Sequence, residues 1–122
     1  EPELYDAAYS LGLLLVEMQN YREGVFYLEQ ASKGMPDRAR IHYNLGLLYA
    51  HLQNPVDAEN ELRAALELEP QNLDFKYALA DFYLKRGLFE MARPIAEDMA
   101  ATHPENPIGG QMLDFIRRNT GK

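Results

Sequence analysis

Residues 45–70 read LGLLYAHLQNPVDAENELRAALELEP, and the pattern of this stretch decides the fold. Apolar side chains recur in it at helical spacing on both sides of a break at Asn54-Pro55. Asn followed by Pro favours a helix N-cap and a first helical position, so a new helix begins there. Pro70 ends that helix, because the residue before a proline avoids the helical backbone conformation. The stretch predicts two helices joined by a tight turn, at about 40–52 and 55–68.

The same pattern recurs along the chain at a fixed offset of 34 residues. Three apolar–small pairs, three tyrosines and three prolines obey this offset without a gap: Leu11-Gly12, Leu45-Gly46, Leu79-Ala80, Tyr9, Tyr43, Tyr77, Pro36, Pro70 and Pro104. No segment alternates strictly between apolar and polar residues, so no strand is predicted. We therefore predict an all-α chain with three two-helix repeats, at residues 5–38, 39–72 and 73–106.

A shorter segment, residues 107–118, follows the third repeat and starts a fourth copy without completing it. It carries an apolar stripe on one side and charged residues on the side that faces water: Ile108, Met112, Phe115 and Ile116 against Asp114, Arg117 and Arg118. A helical array needs a terminal cap with a polar outer face. We predict that this segment is a capping helix.

The middle repeat carries a recognisable order of residues: Leu45, Gly46, Tyr49, Ala58, Ala65 and Pro70. It resembles the tetratricopeptide repeat (TPR) family, whose signature is Trp-x2-Leu-Gly-x2-Tyr, then Ala-x3-Phe and a terminal Pro. His42 stands in place of the Trp and Leu62 in place of the Phe. The resemblance implies a right-handed superhelical TPR solenoid of antiparallel helix pairs, with about seven helices in one domain over residues 1–122. It also implies a scaffold or adaptor that binds other proteins.

The resemblance further implies where a partner binds. In TPR proteins the first helices of successive repeats line a concave groove, and the inward positions share one helical face. Carried over to this sequence, they form a peptide-binding groove of Tyr9, Leu13, Arg40, Tyr43, Asn44, Leu47, His51, Asp74, Tyr77, Asp81 and Lys85. Its three tyrosines form a ladder that offers contact area and hydroxyl groups to a ligand. The alternative is that tyrosine at this position serves packing alone.

Heat-shock chaperone tails are a poor match for this groove. TPR domains that capture these acidic C-termini use a clamp of lysines, an arginine and asparagines. The matching positions here hold Tyr9, Leu13, Asn44, Asp74 and Ala78, of which only the asparagine fits. Asp6 and Glu17 also occupy inward positions of the repeat, so that face carries four acidic residues, Asp6, Glu17, Asp74 and Asp81, against the two basic residues Arg40 and Lys85. We therefore expect a neutral or mildly basic, partly apolar peptide as the ligand.

The start of the chain has no equivalent of the C-terminal cap. Ile41 and Leu48 are expected to pack on the preceding repeat, whereas their counterparts Ala7 and Leu14, together with Met18, have no such neighbour in this sequence. An exposed apolar strip usually marks a partner or a missing neighbour. Either upstream repeats were cut away or this self-association edge pairs with a second copy. We favour excision from a longer protein, with pairing of the exposed edge into a homodimer as a side effect. The alternative to peptide binding is thus a structural spacer or self-association segment, excised from a larger multi-domain protein.

Composition excludes several other functions. The chain has 19 acidic and 12 basic residues, a formal net charge of −7, which argues against a nucleic acid partner. It has no cysteine, and His42 and His51 lie near opposite sides of one helix, so we predict no metal site and no cofactor. Neither Ser10 nor Ser32 has a His–Asp pair nearby in sequence, so we predict no catalytic residue and no enzyme. No signal peptide or membrane-spanning stretch is visible, so we expect a soluble chain of undetermined compartment without a membrane partner.

Overall fold

The computed structural model describes all 122 residues as an all-α chain. Its seven helices are α1 (Pro2–Glu17), α2 (Tyr21–Gly34), α3 (Ala39–His51), α4 (Pro55–Leu68), α5 (Leu73–Lys85), α6 (Phe89–Thr102) and α7 (Ile108–Thr120). No residue is assigned to a strand. The predictions of an all-α class and of about seven helices are both confirmed.

The chain divides into two compact units. Unit 1, Glu1–Glu69, contains α1 to α4, and unit 2, Pro70–Lys122, contains α5 to α7. Within each unit, helices that follow one another in sequence pack together and bury their apolar faces. The single domain over residues 1–122 and the boundaries of its three repeats stay a prediction.

The helices of the middle repeat begin and end close to the predicted positions. Pro55 occupies the first helical position of α4, and Asn54 is its N-cap residue. The side chain of Asn54, however, makes no capping hydrogen bond. The backbone carbonyl of Asn54 instead accepts a hydrogen bond from the N–H of Ala58 at 3.0 Å. The start of α4 therefore depends on the proline and the backbone more than on the asparagine side chain.

The turn inside each helix pair contains one residue with a left-handed backbone. Gln19, Gln53 and Gly87 have φ values of 65°, 63° and 72°, and they are spaced 34 residues apart. This conformation costs a non-glycine residue about 1–2 kcal/mol, because its Cβ approaches the neighbouring carbonyl. Glycine suits the position, so the two glutamines carry backbone strain that Gly87 avoids.

Two glycines let the paired helices of unit 1 approach closely. A Cβ added at Gly12 in α1 would lie 2.8 Å from Cγ of Leu28 in α2. A Cβ added at Gly46 in α3 would lie 2.6 Å from Cγ of Leu62 in α4. Both leucines are buried, so neither can move aside without loss of packing. The glycine of the repeat signature is therefore a packing requirement.

Buried polar contacts connect α3 to the helices on either side of it. The hydroxyl of Tyr49 donates a hydrogen bond to the carboxylate of Glu29 in α2. Burial, and after it this hydrogen bond, raises the pKa of Tyr49 above the ordinary tyrosine value. Nε2 of His42 donates to the carbonyl of Pro36 at 2.8 Å, and its Nδ1 lies 2.7 Å from Oε1 of Glu61 in α4.

The core of unit 2 forms where α5, α6 and α7 meet. It is built on four small or flexible side chains: Ala80, Ala96, Met99 and Met112. Gly109 brings α7 against α6, because a Cβ there would lie 2.6 Å from the backbone nitrogen of Ala100. A clash with backbone cannot be relieved by turning a side chain, so this position admits only glycine without a shift of the helix.

One charged side chain is buried in unit 2. Lys76 in α5 is 2% exposed, and its Nζ lies 2.7 Å from Oδ2 of Asp98 in α6. The same ammonium donates hydrogen bonds to Oε1 of Gln71 and Oγ1 of Thr102, both at 3.1 Å. Three acceptors match its three protons, which compensates for the loss of hydration. The side chain therefore fastens α5 to α6.

The amphipathic pattern predicted for residues 107–118 is present in α7. Met112 and Ile116 are buried, while Arg117 and Arg118 are exposed. Phe115 differs from its expected place in the apolar stripe, since it is 40% exposed. It lies at the edge of the stripe, about 100° around the helix from Ile116.

Candidate protein-binding surfaces

A pocket of about 260 Å³ opens among α1, α2 and α3 in unit 1. It is lined by Leu13, Val16, Tyr21, Leu28, Asn44, Leu47, Leu48 and His51. The lining is mostly apolar, with a few polar groups at its rim, which is the usual character of a ligand pocket. Four residues of the predicted groove therefore share one surface: Leu13, Asn44, Leu47 and His51.

An aromatic contact forms one wall of this pocket. The ring of His51, at the end of α3, lies 4.5 Å from the ring of Tyr21 at an interplanar angle of 58°. Tyr21 is the first residue of α2, so the contact joins the two helix ends. His51 was predicted to line the groove, and the structure places it against a residue that sequence reasoning had not assigned to it.

A hydrogen bond between Tyr9 and Asn44 links α1 to α3. The amide nitrogen of Asn44 donates to the hydroxyl of Tyr9 at 3.0 Å. The hydroxyl that accepts this bond keeps its own proton to donate, and the amide oxygen of Asn44 keeps its lone pairs. The pair therefore presents one donor and one acceptor beside the pocket, as a peptide backbone requires.

Arginine side chains lie over two tyrosines of the predicted ladder. The guanidinium of Arg40 is 5.1 Å from the centre of the Tyr43 ring, and that of Arg38 is 5.8 Å from the centre of the Tyr9 ring. Arg38 also forms an ion pair with Asp6 at 3.0 Å. Cation–π contacts of this kind orient an aromatic ring. Both tyrosines thus have packing partners inside unit 1, which favours the packing interpretation of the ladder at these positions.

A second pocket, of about 370 Å³, lies between α5 and α7 in unit 2. It is lined by Tyr77, Asp81, Leu84, Lys85, Ile108, Gln111, Met112, Phe115 and Arg118. Tyr77 is 42% exposed, so its ring is open to a partner. Lys85 pairs with Asp81 at 3.0 Å, and its hydrogen bond to this carboxylate raises the pKa of the lysine.

Not every predicted groove residue reaches a pocket. Tyr9, Tyr43 and Asp74 lie outside the lining of both pockets. Arg40 also lies outside them and lines a different cavity, of about 560 Å³, around the connection between α2 and α3. Ala78, one of the positions compared with the chaperone clamp, is only 6% exposed. A buried alanine cannot contact a ligand, so this position contributes nothing to a clamp.

The pocket residues of α7 were missed because its segment was interpreted only as a cap. The repeat offset of 34 residues already pointed to them. Adding 34 to Asp74, Tyr77, Ala78, Asp81 and Leu84 gives Ile108, Gln111, Met112, Phe115 and Arg118. These five residues all line the pocket of unit 2. The incomplete fourth copy therefore continues the pattern of side chains that face the ligand surface.

The three residues of the predicted self-association edge lie on the outer face of α1, and all are exposed. Leu14 and Met18 are 50% and 60% exposed. Self-association through these side chains stays a prediction.

No group of three or more His, Cys, Asp or Glu side chains is arranged to hold a metal ion. None of the seven helices combines the length and the apolar character that crossing a membrane requires.

Comparison with known families identifies the repeat. Two tetratricopeptide repeat models match the sequence, one over residues 52–113 and the other over residues 9–62. The first alone covers half of the chain. The chain belongs to the tetratricopeptide repeat family. The resemblance seen in the middle repeat is thereby confirmed, and no match was found among curated proteins.

Solved TPR structures share the fold of this chain. MamA of AMB-1 is 23% identical with a TM-score of 0.85, and the match covers 96% of this chain and 64% of that chain. The first TPR of Spaghetti (RPAP3), bound to the HSP90 peptide SRMEEVD, is 15% identical with a TM-score of 0.86. That match covers 100% of this chain and 97% of the Spaghetti chain. MamA of MSR-1 is 21% identical with a TM-score of 0.81, and the match covers 96% of this chain and 67% of that chain. This TPR chain therefore spans about two thirds of the MamA chains and nearly all of the Spaghetti domain.

Proposed function

We propose that this TPR chain is a protein–protein interaction module that holds a peptide segment of a partner at the pocket of unit 1. The observation that carries the proposal is the convergence of Leu13, Leu47 and His51 around one apolar pocket, with the Tyr9–Asn44 pair beside it. An apolar cavity with a donor and an acceptor at its rim suits an extended peptide. One apolar side chain enters the cavity, and the adjacent peptide group bonds to the tyrosine and the asparagine.

The charge of unit 1 defines the ligand further. Residues 1–69 carry twelve acidic and five basic side chains. A peptide with basic residues beside its apolar anchor is therefore attracted, and an acidic peptide is repelled. This supports the neutral or mildly basic ligand expected from the sequence.

The pocket of unit 2 is proposed as a separate contact surface of the same module. Tyr77 and Phe115 present aromatic rings, and Asp81 and Lys85 present a paired charge at the rim. Exposed aromatic side chains provide contact area with little loss of conformational entropy. We infer that this pocket accepts an aromatic or aliphatic side chain of a protein partner.

The Spaghetti domain provides a direct comparison for ligand choice. That domain is bound to the HSP90 peptide SRMEEVD. In the present chain, the clamp positions include the buried Ala78 and the acidic Asp74, and unit 1 has an excess of carboxylates. We propose that the chain does not bind this acidic peptide, which a titration with synthetic SRMEEVD tests.

The test of the proposed site uses selection of a random-peptide library on the immobilised chain. Peptides so selected are expected to bind the unchanged chain and to lose most of their affinity for the Leu47→Asp variant. Leu47 is 42% exposed, so the substitution leaves the core intact. Val56→Asp, at a 72% exposed position on α4 outside the pocket, is the matched control and is expected to bind normally. Equal binding by both variants would refute the site.

A structural role is the second candidate function. The intramolecular partners of Tyr9 and Tyr43 favour it, because those rings are held in place without a ligand. In that case the chain is a spacer or self-association segment, and the library yields no peptide that depends on Leu47. Neither candidate includes a catalytic step.

A further inference from the structure

The outer face of α1 carries an apolar seam: Leu4, Ala7, Leu11, Leu14 and Met18. The steps between successive members are three, four, three and four residues, the spacing of a helix that pairs with another helix along one line. Leu4, Leu14 and Met18 are 64%, 50% and 60% exposed. The seam is about 21 Å long at the rise of an α-helix. It therefore has the length and pattern for a helical partner.

The seam is separate from the pocket of unit 1. Leu13 and Val16 of α1 line the pocket, and neither belongs to the seam. The middle of the seam, Leu11, is about 160° around the helix from Leu13. A partner on the seam and a peptide in the pocket therefore occupy different faces of α1.

The repeat shows what normally covers this position. Thirty-four residues further on, the counterparts of Ala7, Leu11 and Leu14 are Ile41, Leu45 and Leu48 in α3. These three are at most 4% exposed, and α3 packs against α2. The same positions of the repeat are thus covered when a neighbouring helix is present, so a helix is the shape of partner that the seam fits.

The charges beside the seam define the chemistry of that helix. Glu3 and Glu17 directly precede Leu4 and Met18, so both carboxylates lie on the same side of the seam, and both residues are exposed. The excess of acidic over basic residues in unit 1 adds a negative field around them. Charges that flank the apolar line of paired helices select the partner of opposite sign.

We propose that the seam of α1 docks an amphipathic α-helix of a partner protein, with basic residues beside its apolar stripe on the side that meets Glu3 and Glu17. A second copy of this chain is a poorer occupant, because pairing two seams brings two acidic units together. Head-to-tail stacking on α7 is also disfavoured, since its outer face exposes Asp114 and Arg117 and would bury them against leucines. This interaction is additional to peptide binding at the pocket.

The experiment measures binding of a synthetic 18-residue helical peptide with leucines at alternating three- and four-residue steps and lysines on both flanks. A second peptide, with glutamate in place of every lysine, controls for apolar association alone. We expect the lysine peptide to bind, with affinity that falls as salt is raised, and the glutamate peptide to bind at least about tenfold more weakly. Leu14→Glu should weaken binding of the lysine peptide by about tenfold or more, because Leu14 lies near the middle of the seam.

Two variants make the test specific to the seam. Val56→Glu adds the same charge at an exposed position outside the seam, and Leu47→Asp alters the pocket; both should bind the lysine peptide as the unchanged chain does. Equal loss in Leu14→Glu and Val56→Glu, or equal binding of the two peptides, would overturn the proposal. Sedimentation analysis tests whether a second copy of the 14.0 kDa chain occupies the seam instead. A dimer that Leu14→Glu dissociates would assign the seam to a second copy and would also overturn the proposal.

Discussion

The terminal helices of the two units differ in the side chains that they expose. In unit 2, the last helix buries Met112 and Ile116 and turns Arg117 outward, whereas in unit 1 the first helix leaves Leu4 and Leu14 exposed. The charges differ as well: residues 1–69 carry twelve acidic and five basic side chains, and residues 70–122 carry seven of each. The entire net charge of −7 therefore belongs to unit 1. One repeat pattern thus yields a neutral unit whose last helix turns charged side chains outward, and an acidic unit whose first helix leaves an apolar face open.

Among these predictions, the largest loss of stability is expected from Gly109→Ala, which disrupts the packing of α7 against α6 in unit 2. The added Cβ would meet the backbone nitrogen of Ala100 at 2.6 Å and the carbonyl oxygen of Ala96 at 3.0 Å. We expect a loss of about 3 kcal/mol in the free energy of unfolding, at the upper end of overpacking effects. Urea denaturation measures it, with Gly110→Ala as control, since a Cβ at Gly110 meets nothing within 4 Å. A similar loss in both variants would contradict the close approach of α7 to α6.

A smaller loss is expected when the buried ammonium of unit 2 loses its counter-ion. Asp98→Ala leaves Lys76 buried with two neutral acceptors, and we expect a cost of roughly 1–2 kcal/mol, below that of a fully buried pair because Asp98 is half exposed. Lys76→Met removes the charge together with the need for a partner, so its stability should stay within about 1 kcal/mol of the unchanged chain. Thermal unfolding of both variants checks this order. If Lys76→Met proves the more damaging, the contact contributes stability rather than satisfying a buried charge.

The inner turns allow the two units to be compared at one repeat position. Gln53→Gly in unit 1 should stabilise the chain by roughly 0.5–1 kcal/mol, because glycine adopts the left-handed backbone without strain. Gly87→Ala in unit 2 should destabilise it by about 1 kcal/mol for the converse reason. A Cβ at Gly87 meets nothing within 4 Å, so packing does not confuse the result. Changes of the same sign in the two variants would exclude the backbone explanation.

The smallest expected effect is a loss of stability at alkaline pH that comes from Tyr49 in unit 1. The pKa of Tyr49 is raised by burial and by its hydrogen bond to Glu29, so the folded chain retains that proton where the unfolded chain loses it. This contribution is complete below the ordinary tyrosine pKa of about 10 and is lost as the pH rises above it. The stability of the unchanged chain should therefore fall above pH 10 more steeply than that of Tyr49→Phe. Parallel slopes for the two proteins, in urea denaturation at increasing pH, would show that Tyr49 does not contribute.

The helices could be predicted because their signals are local. The apolar spacing and the break at Asn54-Pro55 act within one helix pair, and the fixed offset transfers them to the other repeats. The same offset would also have predicted Phe115 and Arg118 as pocket residues had it been carried into the fourth copy. What limited the prediction there was the interpretation of the segment as a cap.

Other contacts could not be predicted, because their partners lie far apart in sequence. Lys76 resembles an ordinary surface lysine until Asp98 and Thr102, 22 and 26 residues later, are placed beside it. Gly109 likewise resembles a loop residue until the backbone of α6 lies against it. The partners of His51 and Tyr9 in the candidate site also come from other helices. Family resemblance named these two positions, but only the packing showed which neighbours they have.

The central claim is that the pocket of unit 1 binds a peptide, and the most direct measurement is an NMR titration of the chain with a peptide selected from the library. The account predicts that the largest amide shift changes fall on Leu13, Asn44, Leu47 and His51, and that Leu47→Asp abolishes them. Shift changes confined to the outer face of α1, or none at any peptide concentration, would contradict it.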